Sequence, residues 1–378
     1  MNDVIVCVQD LENYAEKVLP KDVWEYFKSG ALSEQTLKFA SDLKDVAERD
    51  LTITVMGEKL TMPLGIAPTA FQKLAHPEGE SATVRASQDK GVIFVLSLFS
   101  TTSIEEIARV APTAIKWFQL CAYKDYQINK QLIECAEKNG FKAIVLTVDS
   151  PVFGIRLLEL RNHFSLPPHI KLANFENLYK LIPDKDVLGS DMDEYLSTLL
   201  NASLTWDDLK WFRSITKLPI LLKGILTAED AIKAADMGIV GVIVSNHGGR
   251  QLDGIPATIE ALPEIVKAVG DRIDVFVDGG FREGADIFKA LALGAKMVFV
   301  GRPILWGLSY DGQDGVKKVL DILENELDNT LALAGRKRNL KTLPINTSAT
   351  ESVASGRGLA KYKQIAIKWP SPPSVGFL

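Results

Sequence analysis

His247 and Arg250 stand three residues apart in GVIVSNHGGRQLDG, residues 241–254, with Asp253 just behind them and glycines on either side. An imidazole gains and loses a proton near neutral pH, and a guanidinium grips a carboxylate through paired hydrogen bonds. Together they suit chemistry on a small anion, one group moving a proton while the other anchors the charge. Asp149, at the end of AIVLTVD, could orient such a histidine and stabilise its imidazolium, or it could cap a helix. Arg156 follows in GIRLLELRN. Alone it reads as a solvated loop residue; beside Arg250 it could help clamp a carboxylate. Lys223 sits inside the apolar run PILLKGI. An ammonium there must pair with an internal carboxylate such as Asp149 or Asp278, or face a ligand. An electron-accepting ring that gains negative charge on reduction would be such a ligand.

These side chains need elements to hold them. Eight short apolar runs, rich in valine and isoleucine, cover residues 64–70, 92–99, 115–120, 143–149, 219–224, 241–246, 274–280 and 297–303. Their nearly continuous apolar character predicts parallel strands buried on both faces. An amphipathic segment follows each run. Ser103 with Glu106 forms a capping box and Thr227 with Asp230 a looser one, while Gly140, Gly238, Gly270 and Gly294 occupy C-terminal cap positions. Eight strand–helix alternations predict an α/β fold, a (β/α)8 TIM barrel. A doubly wound sheet is the competing architecture, but the GxGxxG turn expected of its dinucleotide-binding form is absent from the sequence.

In such a barrel the strand ends gather at one rim, where chemistry is done. The polar residues at these ends are Thr69, Ser97, Gln119, Thr147, Asp149, Lys223, Ser245, His247, Asp278 and Arg302. The last two loops hold Gly279, Gly280 and Arg282 in DGGFREG and Gly301 and Arg302 in VGRP, where barrels of this kind bind phosphate. The alternative there is a pair of tight turns with surface arginines. Residues 1–60 read as an N-terminal segment packing on the barrel, with a helix in DVWEYFKSG and a hairpin in LTITVMGEKLTMP. The barrel spans 61–335, with 154–204 as a long loop or lid, and 336–378 as a basic, flexible tail.

The chain of 378 residues is 47% hydrophobic with a net charge of −5, which argues against nucleic-acid and membrane-surface partners. The imbalance is uneven: residues 336–378 carry eight Lys/Arg and one Glu, a net +7. Cys7, Cys121 and Cys135 form no disulfide framework or metal knuckle, and no apolar run reaches membrane-spanning length. The expectation is a soluble intracellular protein with no metal site.

Several segments carry a resemblance: SNHGGRQLDG, DGGFREGADIFKALALGAKMVFVGRP, LPILLKGILTAEDA, IAPTAFQKLAHPEGE, FKAIVLTVDSP and YFKSGA. In order and density, from about residue 10 to about 335, they resemble the FMN-dependent 2-hydroxy acid oxidase family of glycolate oxidase type. The resemblance implies oxidation of an (S)-2-hydroxy acid to the 2-oxo acid, with oxygen reduced to hydrogen peroxide. A flavin dehydrogenase with another acceptor, or a flavin-binding protein of little turnover, are the alternatives. It implies His247 as the base and Asp149 as its orienting carboxylate, with Arg156, Arg250, Tyr26 and the position of Cys121 against the substrate. FMN would be contacted by Pro68, Thr69, Ala70, Ser97, Gln119, Thr147, Lys223 and Ser245. Asp278 would hold its ribityl chain, and Gly279, Gly280, Arg282, Gly301 and Arg302 would surround its phosphate. A homotetramer and a peroxisomal location are implied as well, although the sequence lacks an S-K-L C-terminus and the cytoplasm is the alternative.

The chain departs from the family pattern at three places. Cys121 stands where the family carries a tyrosine, Phe99 where glycolate-using relatives carry a tryptophan, and the segment after SEQTLKFAS is shortened.

Overall fold

The computed structural model describes residues 49–162, 166–175 and 200–335. The chain divides into two units, Met1–Asp45 and Val46–Leu378, and every described residue belongs to the second. Tyr26, the predicted N-terminal helix and the basic tail lie outside the described residues.

The hairpin comes first. Strand β1 (Ile53–Val55) pairs antiparallel with β2 (Glu58–Leu60) across Met56 and Gly57, both in the left-handed region at φ 49 and 85. Positive φ at both turn residues matches the twist of the flanking strands. Eight parallel strands then close into a barrel: β3 (Leu64–Ile66), β4 (Phe94–Leu96), β5 (Lys116–Cys121), β6 (Ala143–Thr147), β7 (Ile220–Ile225), β8 (Gly241–Val244), β9 (Asp274–Asp278) and β10 (Val298–Val300). Neighbours in sequence are neighbours in space, and β10 closes on β3. This is the (β/α)8 barrel expected from the eight runs.

Helices α1 (Gly79–Lys90), α2 (Ile104–Val110) and α3 (Tyr126–Lys138) follow β3, β4 and β5. The short α4 (Leu157–Arg161) and α5 (Asp208–Ser214) lie between β6 and β7. Helices α6 (Ala228–Asp236), α7 (Thr258–Val269), α8 (Gly284–Ala292) and α9 (Arg302–Leu333) complete the ring, with α9 broken at Asp311 and Gly312. The N-cap halves of both motifs form: Ser103 accepts from the Glu106 amide and Thr227 from the Asp230 amide, while the Glu106 carboxylate pairs with Arg109 and does not close the box. Gly140, Gly238 and Gly294 take positive φ past their helices. Gly270 differs, holding right-handed backbone at φ −59, so its place needed no left-handed residue.

Strand alternation creates two cores and then the site. Residues such as Ile66, Phe94, Phe118, Ile144, Leu222, Val242 and Val275 pack outward under the helices. Val95, Trp117, Val145, Leu221, Ile243, Phe276 and Phe299 fill the barrel interior together with Ile53, Val55 and Leu60 of the hairpin. The hairpin thus joins the interior core beside residues near the strand starts, such as Trp117 and Ala143, at the N-terminal end. Because side chains alternate along a strand, the next inward residue lies two positions on. Those positions are Ser97, Gln119, Thr147, Lys223, Ser245 and Asp278, all buried. The interior therefore turns from apolar to polar within one layer at the C-terminal rim.

Candidate active site

Asp149 and His247 come from the loops after β6 and β8 and meet at the rim, with His247 Nδ1 2.9 Å from Asp149 Oδ1. Burial pushes the Asp149 carboxyl up, but the hydrogen bond from His247 and the charge of Lys223 hold it below its usual range. The ionised oxygen accepts the Nδ1 proton, which leaves Nε2 of His247 free to take another. Ser150 Oγ donates to the same Asp149 oxygen at 3.0 Å. Since the folded carboxyl is depressed, its contribution to stability is present above its ordinary pKa and is lost as pH falls through the lower folded value. His247 holds left-handed backbone at φ 56, and its amide donates to Ser245 Oγ at 3.1 Å. That strained conformation sits between the end of β8 and two glycines in the same region, Gly248 and Gly249.

Asp149 has its place because Gly224 yields it. The register between β7 and β8 slips between Lys223 and Ile225, and Gly224 there takes φ +104. A Cβ on Gly224 would lie 2.5 Å from Asp149 Cβ and 2.6 Å from its Cγ. A bulge of this kind commonly re-aims side chains beside an active site.

Lys223 resolves the question its sequence raised. Its Nζ donates to Ser245 Oγ at 2.7 Å and pairs with Asp278 Oδ2 at 3.3 Å, while Ser245 Oγ donates to Asp278 Oδ1 at 2.5 Å. Both charges are almost wholly buried, so each depends on the other. On the neighbouring strands Gln119 Nε2 reaches Thr147 Oγ1 at 3.0 Å and Cys121 Sγ at 3.3 Å. Gln119 Oε1 accepts from the Leu98 amide, and Ser97 Oγ from the Phe99 amide. Phe99 packs edge-on to Phe153 and stacks with Phe175. Burial pushes the Cys121 thiol up to about 12, and burial with the nearby Glu105 carboxylate does the same to Cys135. Both are neutral thiols near pH 8, and a buried one such as Cys121 is inert. Iodoacetamide treatment of the folded protein at that pH is expected to leave Cys121 unmodified by peptide mass analysis, with labelling only after denaturation.

Thr69 and Ser97 stand on loops that share a buried anchor, Glu80 at the start of α1. Glu80 Oε1 accepts from the amides of Gln72 and Thr101 at 3.0 and 2.9 Å. Its Oε2 accepts from the hydroxyls of Thr101 and Thr102 at 2.6 and 3.0 Å. Gln72 in turn donates to Thr69 Oγ1 at 2.7 Å. Glu80→Ala strands these donors inside the protein and is expected to cost about 2–4 kcal/mol, read by urea unfolding, together with weaker flavin retention.

The arginines also converge. Arg156 precedes α4, and its Nε lies 3.5 Å from the carbonyl oxygen of Arg250. Gln251 stitches their loops together, donating to the carbonyls of Asp149 and Val152 at 3.0 and 2.9 Å and accepting from the Gly154 amide. Among the described residues Asp253 accepts from the next amide, that of Gly254, in keeping with a loop role. Arg302 Nη2 donates to the carbonyl of Gly248 at 2.7 Å, and the exposed Arg282 begins the loop that Asp286 caps.

The description FMN-dependent dehydrogenase belongs to a family that matches residues 15–344 of this sequence. The chain belongs to that family. Human 2-hydroxyacid oxidase 1 is 46% identical over 344 residues, covering 88% of this chain and 93% of that protein. Spinach glycolate oxidase is 48% identical over 350 residues, covering 90% and 94%. A solved structure of mandelate oxidase superposes with a TM-score of 0.73 at 39% identity, covering 90% of this chain and 98% of that one.

FMN is the cofactor of this family, and the rim fits it. Among the described residues, two buried oxygens at this rim, Asp149 Oδ2 and Asn246 Oδ1, lack a hydrogen-bond partner. Lys223 adds a buried positive charge near enough to lower the Asp149 carboxyl. Gly279 and Gly280 follow β9 at φ +91 and +92, and a Cβ on Gly280 would meet no atom within 4 Å, which leaves backbone open to a ligand. Gly301 and Arg302 open α9 directly after β10, so a helix N-terminus faces the same side. When bound, FMN supplies a two-electron acceptor. The sequence reading missed Glu80, Gly224, Gln251 and Glu159. Only Glu159 left a sequence signal, a carboxylate three residues after Arg156 at helical spacing.

Proposed function

We propose that this member of the family oxidises a small (S)-2-hydroxy acid to the 2-oxo acid and reduces oxygen to hydrogen peroxide. The observation that carries the proposal is the His247–Asp149 pair, set at the polar rim beside two arginines. Nε2 of His247 takes the substrate proton, and Asp149 stabilises the imidazolium that results. Arg156 and Arg250 anchor the substrate carboxylate. Lys223 lies where it would offset negative charge gained by the reduced flavin. Gln119, Thr147, Ser97, Ser245 and the backbone of Pro68, Thr69 and Ala70 would line the ring. Asp278, Gly279, Gly280, Arg282, Gly301 and Arg302 would hold the ribityl phosphate. The names of the human, spinach and mandelate-oxidising relatives support this reading.

The test is an oxygen electrode with a panel of 2-hydroxy acids. The oxidase reading expects one peroxide per 2-oxo acid. Turnover only with an artificial electron carrier would mark a dehydrogenase instead. Cys121 favours a second reading, a flavin-binding protein with little turnover, because a buried thiol is a weaker and shorter donor than a phenol. We also propose a homotetramer in peroxisomes. Light scattering on the purified chain and imaging beside a peroxisomal marker check these two points.

A further inference from the structure

The two arginines that would anchor the substrate already hold a carboxylate of the chain's own. Arg250 Nη2 donates to Glu159 Oε1 at 2.9 Å, and Arg156 Nη1 to Glu159 Oε2 at 3.3 Å. Each guanidinium thus takes one oxygen of the same carboxylate. The arrangement is enforced from both loops. Gln251 and the Arg156–Arg250 backbone contact bring the two cations together. A Cβ on Gly154 would lie 2.4 Å from the Arg250 carbonyl, so the loops pack without a side chain between them. One turn of α4 then carries Glu159 back over Arg156 as an i,i+3 pair.

We infer that Glu159 is a specificity-determining residue: an internal carboxylate that competes with the substrate's for Arg156 and Arg250 and selects singly charged acids. This rests on the arginine clamp of the proposed function. Two arginines and Glu159 carry a net +1, which one incoming carboxylate neutralises. A second carboxylate on the ligand would add a negative charge beside Glu159, where like charges repel. Without Glu159 the pair would carry +2 and would take either ligand more tightly. The side chains of Arg156, Glu159 and Arg250 are 24%, 32% and 43% exposed, so solvent screens the effect and keeps it moderate.

Propionate and malonate test the inference. They share a chain length, lack a hydroxyl to oxidise, and at pH 8 carry one and two charges. The FMN-loaded wild type and Glu159→Gln are titrated with each, and binding is read from the perturbed visible spectrum of the flavin. Glu159→Gln is expected to bind propionate about threefold to tenfold more tightly, with a larger gain for malonate. Unchanged or weaker binding of propionate overturns the inference, and so does an equal or smaller gain for malonate. Arg250→Met separates the two levels of the argument. If it binds propionate as well as wild type does, the clamp itself fails. If it loses propionate while Glu159→Gln matches wild type, only the role of Glu159 fails.

Discussion

His247→Gln is expected to slow flavin reduction by about 10²–10⁴-fold, the usual contribution of a positioned general base, while FMN stays bound. Glutamine cannot take a proton at any working pH, and Asp149 would then have no imidazolium to stabilise. The fold should survive, since the His247 side chain is 30% exposed and stands on a loop. Its backbone, however, is left-handed at φ 56. Asparagine enters that region more readily than glutamine does, so His247→Asn removes the base with less strain. The two variants should be equally slow and both should stay yellow. Substantial reduction in either, followed by rapid mixing with substrate under nitrogen, would remove His247 from the role of base.

Gly224→Ala should be almost as damaging, although Gly224 has no side chain to offer a substrate. At φ +104 an alanine is strained, and its Cβ would press on Asp149 Cβ and Cγ at 2.5 and 2.6 Å. Either the β7 bulge or Asp149 must move. If Asp149 moves, Nδ1 of His247 loses its acceptor and the tautomer that frees Nε2 is no longer fixed. The expected outcome is a loss of about 2–4 kcal/mol in urea unfolding and a roughly hundredfold slower reduction. Asp149→Asn is the comparison. It should reproduce the kinetic loss with a smaller loss of stability, because the bulge remains intact. Normal reduction rates in Gly224→Ala would mean that the bulge does not set the position of Asp149.

The barrel was legible because its strands are buried on both faces, so each appears as an apolar run that ends in a polar residue. The same regularity made the rim legible: Ser97, Gln119, Thr147, Lys223, Ser245 and Asp278 fall at successive strand ends and all turn inward. Lys223 could be read as needing a partner, but not which one. Sequence offers Asp149 and Asp278 alike, and only the closed barrel, which brings the end of β9 to Lys223 across Ser245, makes Asp278 the direct partner. The contacts that hold the loops were illegible for a different reason. Gln251 acts through backbone carbonyls, which every residue carries, and Glu80 through amides and hydroxyls 8 to 22 positions away. Gly224 looked like part of a strand, and its function is the space it leaves. Glu159 was a neighbour of Arg156 in sequence, while its second partner, Arg250, lies 91 residues on.

Oxidation of a 2-hydroxy acid by the bound flavin is read most directly in an anaerobic cuvette. The purified protein with FMN bound is mixed with an (S)-2-hydroxy acid, and its visible spectrum and the 2-oxo acid are followed together. The yellow colour is expected to bleach, with one 2-oxo acid formed per flavin. A protein that stays yellow across the panel of 2-hydroxy acids would contradict it.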